Sequence, residues 1–494
     1  MNLARLLKDP VFRTVGAAAD SLGRPCYVVG GYVRDLIIGR HSKDIDFVTV
    51  GSGIELAEAV AAGMGRRRCH VNIFRSYGTA QIKRGALELE FVGARRESYS
   101  RDSRNPIVES GTLEEDIARR DFTINAMALS VNAATFGELV DLYGGVKDIE
   151  ARTIRTPLDP DITFSDDPLR MMRAVRFASQ LQFQIAPATF DAICRNASRI
   201  EIITIERIKD ELCKIMRSPR PSVGLDLLHR SGLLPLIFPE LEAMAGISVV
   251  HGRGHKDNFY HTLQVVDTVA AASDNEWLRW AALLHDIGKP ATKRYDERTG
   301  WTFHNHNFIG AKMVPRIFSR LRLGMGENMR YVQKLVELHM RPIALVEDEV
   351  TDSAVRRLIN YAEDDLDDLM ILARADLTSK NEEKKQRFLD NFDLVERKYE
   401  YIRTLDAERA RRNPIDGNEI MHIFGLSPSP AVGMLAAGLK QAIKDCEIDD
   451  TREASLAFLI DLAARNGIPV VNPPAMEEEK EEEKPEDGDN GPAA

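Results

Sequence analysis

Val28-Val29-Gly30-Gly31-Tyr32-Val33-Arg34-Asp35, followed shortly by Asp44-Ile45-Asp46, is the stretch on which the fold reading turns. Residues 25–30 are β-like, 32–38 carry a helical pattern, and 44–50 read as a second strand. Residues two apart in a strand share a face, so Asp44 and Asp46 can hold one pair of hard cations. Two such metals suit phosphoryl transfer, one sharpening an attacking hydroxyl and the other stabilising the leaving group. Asp-x-Asp alone says little, because the same spacing recurs at Asp159/Asp161, Asp365/Asp367 and Asp487/Asp489. The context is what counts. Gly30 and Gly31 let backbone N–H groups approach a phosphate closely, and a helix N-terminus favours an anion. Arg34, one turn into that helix, can pair with a triphosphate.

Further strands are expected at 80–84 and 87–92, which makes the first 155 residues a mixed α/β block. Beyond Asp159 the chain reads as almost entirely helical, broken at Pro187, Pro219-Arg220-Pro221, Pro235 and Pro239. A charged helical arm is expected over 381–412, then a turn at Asn413-Pro414-Ile415-Asp416-Gly417 and a last small helical unit. The fold class is therefore α+β, with 494 residues divided among several domains. No run of about eighteen apolar residues suggests a membrane span. The N-terminus shows no secretory pattern. Cys26, Cys69, Cys194, Cys213 and Cys446 lie far apart without a Cys-x-x-Cys pair, which suits reduced thiols in a cytoplasm. The net charge of −10 is concentrated in an acidic tail. Residues 477–489 hold nine acidic residues and two lysines, a net of −7, and without them the body carries about −3. The tail reads as disordered.

Two more segments carry chemistry. Arg119-Arg120-Asp121-Phe122-Thr123-Ile124-Asn125-Ala126 offers two arginines for phosphate, and Asp121 and Asn125, four apart on an expected helix, for a sugar hydroxyl or base. Asp166-Asp167-Pro168-Leu169-Arg170-Met171-Met172-Arg173-Ala174-Val175-Arg176 opens a helix with a basic stripe. Asp167 accepts hydrogen bonds and Arg170 donates them. Cytosine and adenine each present an amino donor beside a ring-nitrogen acceptor, whereas guanine and uracil present the reverse. One Asp/Arg pair can thus accept C and A and reject G and U by leaving buried polar groups unpaired.

Together these motifs resemble, in order, those of bacterial-type tRNA nucleotidyltransferases (CCA-adding enzymes) and the related bacterial poly(A) polymerases, over roughly the first 240 residues. The resemblance implies a polymerase-β-like palm with Asp44 and Asp46 as Mg2+ ligands. It also implies nucleotide contacts from Gly30, Gly31, Arg34, Arg120, Asp121, Asn125, Asp167, Arg170, Arg173 and Arg176. Glu90 sits where the family places a third carboxylate, with Glu88 two residues away as the alternative. The family often has Glu-Asp before the template helix, where this chain has Asp166-Asp167. The polar stretch 97–116 corresponds to a flexible loop that helps the site change from C to A addition. Arg195, Arg199, Arg207, Lys209, Lys214 and Arg217 either track an RNA backbone or form solvated faces.

The second constellation is His261, His285-Asp286, His306, His339 and Asp376. Imidazole with carboxylate suits divalent transition metals or magnesium. The order resembles the HD-domain phosphohydrolases. His261, His285, Asp286 and Asp376 match the basic ligand set, and His306 and His339 fall where two-metal members have further ligands. The resemblance implies a divalent metal of unspecified identity. The expected domains are a palm (1–155), a helical neck with the base template (156–240), an HD domain (241–395), a C-terminal helical domain (396–475) and the acidic tail (476–494). The expected partners are a tRNA 3′ end, CTP and ATP. Poly(A) addition, or a split activity adding only CC or only A, shares these motifs. A different class of reading makes the HD domain the enzyme beside an inactive RNA-binding palm.

Overall fold

The computed structural model describes residues 1–64, 70–85, 87–100, 103–250, 253–254, 257–347, 351–377, 382–410, 415–445, 447–449 and 451–473. These residues form two compact units, one drawn from Met1–Met340 and Asp367–Thr378, the other from Arg341–Leu366 and Ser379–Ala494.

The first unit begins with α1 (Pro10–Ser21), started by Asp9, whose side chain accepts from Val11 N. There follow β1 (Cys26–Val29), α2 (Gly31–Ile38), β2 (Asp44–Thr49), α3 (Gly53–Met64), β3 (Val71–Phe74), β4 (Thr79–Arg84), β5 (Leu87–Gly93), β6 (Arg95–Ser100), β7 (Ser103–Ser110), α4 (Leu113–Ala118), β8 (Ala128–Ser130) and β9 (Leu139–Val140). The main sheet has the order β3-β4-β5-β2-β1-β8-β9, and its β2–β5 pair is parallel. The alternation of β2 sets the site. Ile45 and Phe47 are buried on one face, where Phe47 stacks on Phe91 (5.2 Å between ring centroids) and meets Phe12 of α1. On the other face Val48 packs with Leu113 and Ile117 of α4, while Asp44 is exposed and Asp46 half-buried.

Two expectations are corrected here. Residues 97–116, which the resemblance makes a flexible loop, hold most of β6, all of β7, which pairs antiparallel with it, and the start of helix α4. The stretch is mostly polar, with Tyr99, Ile107, Val108 and Leu113 too scattered to give an apolar alternation that betrays its strands. Thr112 and Glu115 form a reciprocal capping box that starts α4. Residues 121–125 are not one helix either: α4 ends at Ala118, Phe122 is extended, and Thr123–Asn125 is a single 3-10 turn. The short strands β3, β8 and β9 also went unread.

Next come α5 (Gly145–Glu150), β10 (Thr153–Ile154), α6 (Pro160–Asp166), α7 (Leu169–Leu181), β11 (Gln184–Ile185), α8 (Pro187–Asn196), α9 (Ile205–Met216) and α10 (Pro221–Arg230). Pro187 and Pro221 are first residues of their helices, where a missing N–H costs nothing. The histidine-bearing part of this unit is built from helices Asn258–Ala272, Glu276–Leu284, His306–Arg320, Glu327–Leu338 and Leu366–Asp376.

In the second unit, helix Asp352–Ala362 packs on the 29-residue helix Glu382–Ala410. Helices Gly417–Phe424, Pro430–Lys444 and Arg452–Arg465 surround a core of Ile420, Phe424, Leu435 and Leu459. The acidic tail and Asn413-Pro414 lie outside the described residues. No described helix is long and apolar enough to cross a membrane.

Candidate active site and candidate metal centre

On the open face of the palm sheet, parallel pairing places Glu90 of β5 beside Asp46 of β2 and Glu88 beside Asp44. This geometry separates the two glutamates. Glu88 is occupied, accepting from Lys83 Nζ at 2.6 Å and Gln81 Nε2 at 3.2 Å. Glu90 instead feels Asp46: burial and then the Asp46 charge push its carboxyl up, with Arg95 opposing. Asp46 is likewise raised, by burial and by Asp44, while Arg120 pulls it down. Three carboxylates crowded on one face, two of them resisting ionisation, are an arrangement that a hard divalent cation relieves.

Gly30 follows β1 and is the N-cap of α2. Its φ of +74 favours glycine, and a Cβ there would stand 2.8 Å from Arg120 Nη1 and 3.7 Å from Asp46 Oδ2. Gly30, Arg120 and Asp46 therefore share one small space. Arg120 is aimed by Asp116, a fully buried carboxylate that accepts from Arg120 Nη2 at 3.0 Å and from Arg119 Nε and Nη2 at 3.1 and 2.7 Å. Although burial alone would raise Asp116, Arg120 and Arg119 hold its carboxyl below the ordinary value.

Asp167, between α6 and α7, accepts from Leu169 N at 3.1 Å, and its other oxygen lies 3.6 Å from Arg207. Arg170 Nη2 donates to Arg119 O at 2.7 Å. The remaining arginines expected at the nucleotide are engaged by other side chains: Arg34 by Asp35 and Asn125, Arg173 by Asp121, and Arg176 by Glu211 at 2.5 Å. Of the six basic residues weighed as an RNA track, Lys209, Lys214 and Arg217 line one cleft of about 250 Å³ with Trp277.

The histidine cluster is buried and compact. Among the described residues, the ligand atoms of His261, His285, Asp286 and Asp376 lie within 4.8 Å of one another, as do those of Asp286, His306 and His339. His285, His306 and His339 each place Nδ1 at 2.7–2.8 Å from a backbone carbonyl, those of Ala282, Phe303 and Val336. A carbonyl only accepts, so Nδ1 carries a proton, and each ring when neutral turns an Nε2 lone pair inward. His306 Nε2 and His339 Nε2 then face each other at 3.3 Å, and buried His285 Nε2 has no hydrogen-bond partner, although Asp286 and Asp376 oxygens stand 3.3 and 3.4 Å away. Inward lone pairs beside two carboxylates fit a divalent cation. Against burial, those carboxylates push His285 up to about 10, so without a cation the ring favours a proton at Nε2, in the place a divalent cation would take. Gly288 permits the arrangement, since a Cβ there would sit 2.2 Å from His306 O.

Comparison with known proteins follows the same division. Residues 26–155 match the "Poly A polymerase head domain" family, 182–244 the "Probable RNA and SrmB- binding site of polymerase A" family, and 258–381 the "HD domain" family. An A-adding tRNA nucleotidyltransferase of Deinococcus radiodurans is 31% identical over 86% of this chain and 93% of its own length. The chain belongs to the tRNA nucleotidyltransferase family. A CC-adding tRNA nucleotidyltransferase of Thermus thermophilus is also 31% identical, over 88% of this chain and 93% of the relative. The fold is shared with the Thermotoga maritima CCA-adding enzyme complexed with tRNA, at a TM-score of 0.60 and 21% identity over 94% of this chain and 99% of that one.

Within this tRNA nucleotidyltransferase, some residues that shape the sites escaped the sequence reading. Asp116 lies three and four residues before Arg119 and Arg120, a helical spacing that could have revealed it. Lys289, whose Nζ donates to Asp286 at 2.5 Å, also had a visible spacing. Glu211 is 35 positions from Arg176, and no local pattern announces that pair.

Proposed function

We propose that this family member adds CCA to the 3′ end of tRNA from CTP and ATP, releasing pyrophosphate. The observation that carries the reading is the single face shared by Asp44, Asp46 and Glu90, with Gly30 and Arg120 against Asp46. The three carboxylates would hold Mg2+, which when bound activates the 3′-hydroxyl and neutralises the departing pyrophosphate. The Gly31 amide at the start of α2 would face the triphosphate, and Arg120 would offset its charge, while the Gly30 N–H is held by Met127 O. Asp167 and Arg170 would read the base edge, accepting C and A. The 97–116 segment argues against an enzyme that adds only C, and a cytoplasmic location accompanies the tRNA substrate.

The deciding experiment offers each nucleotide separately, with Mg2+, to tRNA transcripts ending before, within or after CCA. Incorporation of two C and one A followed by a stop is the expected result. Continued A addition on a generic RNA would replace this reading with poly(A) synthesis. A alone on tRNA ending in CC, or CC alone, would make the chain a split-activity member like the relatives named above.

We further propose that the HD site holds a divalent metal and hydrolyses phosphate esters or 2′,3′-cyclic phosphates. Support comes from the inward Nε2 atoms of His285, His306 and His339 around Asp286. Metal-loaded protein should exceed a His285→Ala, Asp286→Ala control in phosphodiesterase activity, and equality of the two would retire the idea.

A further inference from the structure

After His285-Asp286 the chain makes a short helix, Lys289–Thr292, and then an antiparallel hairpin before it re-enters the histidine site at His306. The hairpin consists of strands Arg294–Asp296 and Gly300–Thr302. Its register sets Tyr295 directly opposite Trp301, so the two rings share one face and meet edge to face, with centroids 5.3 Å apart. Two lysines four positions apart stand over the aromatic rings of the second strand and its exit. Lys293 Nζ is 4.8 Å from the Trp301 centroid, and Lys289 Nζ is 5.8 Å from that of Phe303.

This ladder of cations and rings is anchored to the site at one end and closed by a firm turn at the other. Lys289 Nζ also donates to Asp286 at 2.5 Å, and Phe303 O accepts from His306 Nδ1 at 2.8 Å, so the hairpin borders the site through both of its flanks. Lys293 Nζ donates to Ser248 Oγ at 2.6 Å. At the turn, Asp296 Oδ1 accepts from Arg298 N and Thr299 N, both at 2.9 Å, and from the Thr299 hydroxyl at 3.0 Å. Tyr295, Trp301 and Phe303 are each partly exposed, whereas His285, Asp286 and His339 are buried. Aromatic rings held partly in solvent beside ammonium groups suit a phosphate joined to a flat base: the cations meet the anion and the rings meet the base. A phosphate ester without a base would gain only from the cations.

We propose that this hairpin is the base-recognition wall of the HD site. Trp301 and Tyr295 stack on a nucleobase while Lys289 and Lys293 face its phosphate, so the esters the site hydrolyses are those of nucleosides. The inference rests on the reading of the HD site as a phosphohydrolase. For a 2′,3′-cyclic ester, the oxygen of water bonds to phosphorus and one ring P–O bond breaks. One proton of that water ends on the freed sugar oxygen, and the other stays on the new phosphate monoester.

To test it, metal-loaded full-length protein is offered adenosine 2′,3′-cyclic phosphate and methyl ribofuranoside 2′,3′-cyclic phosphate, which has the same ring and no base. The ratio of the two kcat/KM values is compared among wild type, Trp301→Leu, Tyr295→Leu and Trp301→Phe. Wild type should prefer the nucleoside ester. Trp301→Leu should cut that preference about tenfold, through KM more than kcat, while Trp301→Phe keeps most of it. Tyr295→Leu should cut it less, and it serves if Trp301→Leu does not fold. Uridine 2′,3′-cyclic phosphate should be handled like the adenosine ester, because stacking tolerates any base. Wild type without a preference would overturn the wall. So would a Trp301→Leu protein that loses both substrates in proportion, which would leave the hairpin a structural prop for His306. Equilibrium dialysis with adenosine 2′-monophosphate separates recognition from chemistry, since the difference between wild type and Trp301→Leu cancels whatever the palm binds. If neither cyclic ester is hydrolysed but this binding weakens about tenfold in Trp301→Leu, the wall stands and the phosphohydrolase reading fails. If hydrolysis proceeds and both proteins bind alike, the phosphohydrolase reading stands and the wall fails.

Discussion

The palm site and the histidine site both gather acidic groups, but they are built in opposite ways. In the palm, Asp44, Asp46 and Glu90 project from two neighbouring strands onto an open face, all donors are oxygen, and Asp44 and Glu90 are exposed. In the histidine site, donors come from several helices and their ends, His285, Asp286 and His339 are at most 1% exposed, and three imidazoles are pinned to backbone carbonyls. Under the proposed function, the first would be half of a coordination shell that an incoming triphosphate would complete. The second is nearly complete before anything arrives. One site is therefore governed by its substrate and the other by its own fold.

That contrast can be broken in several ways. The largest effect is expected from Asp46→Ala, which should reduce nucleotide incorporation about 10³-fold or more while tRNA binding and metal content at the histidine site stay as they were. Substantial residual incorporation would show that the palm carboxylates do not hold the catalytic cation. Next is Gly30→Ala. A methyl group 2.8 Å from Arg120 Nη1 must shift that guanidinium, the φ of +74 strains alanine as well, and a displacement of this kind costs about 10²-fold in rate. Normal kinetics would mean Arg120 lies off the reaction path. His285→Ala should weaken divalent-metal retention roughly 10- to 100-fold, measured by metal analysis after dialysis, and leave incorporation intact. Loss of incorporation as well would mean that the two sites are coupled.

The smallest effect concerns pH. Burial and Asp44 raise the Asp46 carboxyl above its ordinary 3.8, so the folded state binds that proton more tightly than the unfolded chain. This contribution to stability is present below the ordinary value and lost as pH rises through the raised one. Metal-free wild type should lose melting temperature over that interval more steeply than Asp46→Asn, and added Mg2+ should remove the difference. Parallel curves would show that no charge strain is stored on the palm face.

How much of this was legible in the sequence depended on distance along the chain. β1, α2 and β2 were readable because strand, glycine pair, helix and Asp44-x-Asp46 lie within about twenty residues and each obeys its own period. The histidine cluster was readable because His285-Asp286 closes an apolar helix. The Glu90/Glu88 choice was not: both project to the same face, and only cross-strand pairing shows that Lys83 and Gln81 occupy Glu88. Nor did the triplet spacing of Arg170, Arg173 and Arg176 reveal three different partners. Those partners are Arg119 O, Asp121 and Glu211, far away in the chain and chosen by tertiary packing.

The parallel alignment of β2 with β5 has an evolutionary corollary. Asp46 and Glu90 meet only because both strands are in step, so deleting or inserting one residue inside either would bring Leu89 or Phe91 opposite Asp46 and turn an aromatic or aliphatic group toward the carboxylate face. Descendants of this chain are free to lengthen or trim the connections around α3 and β3. The two strands themselves are closed to such change, and drift in length should accumulate everywhere except there.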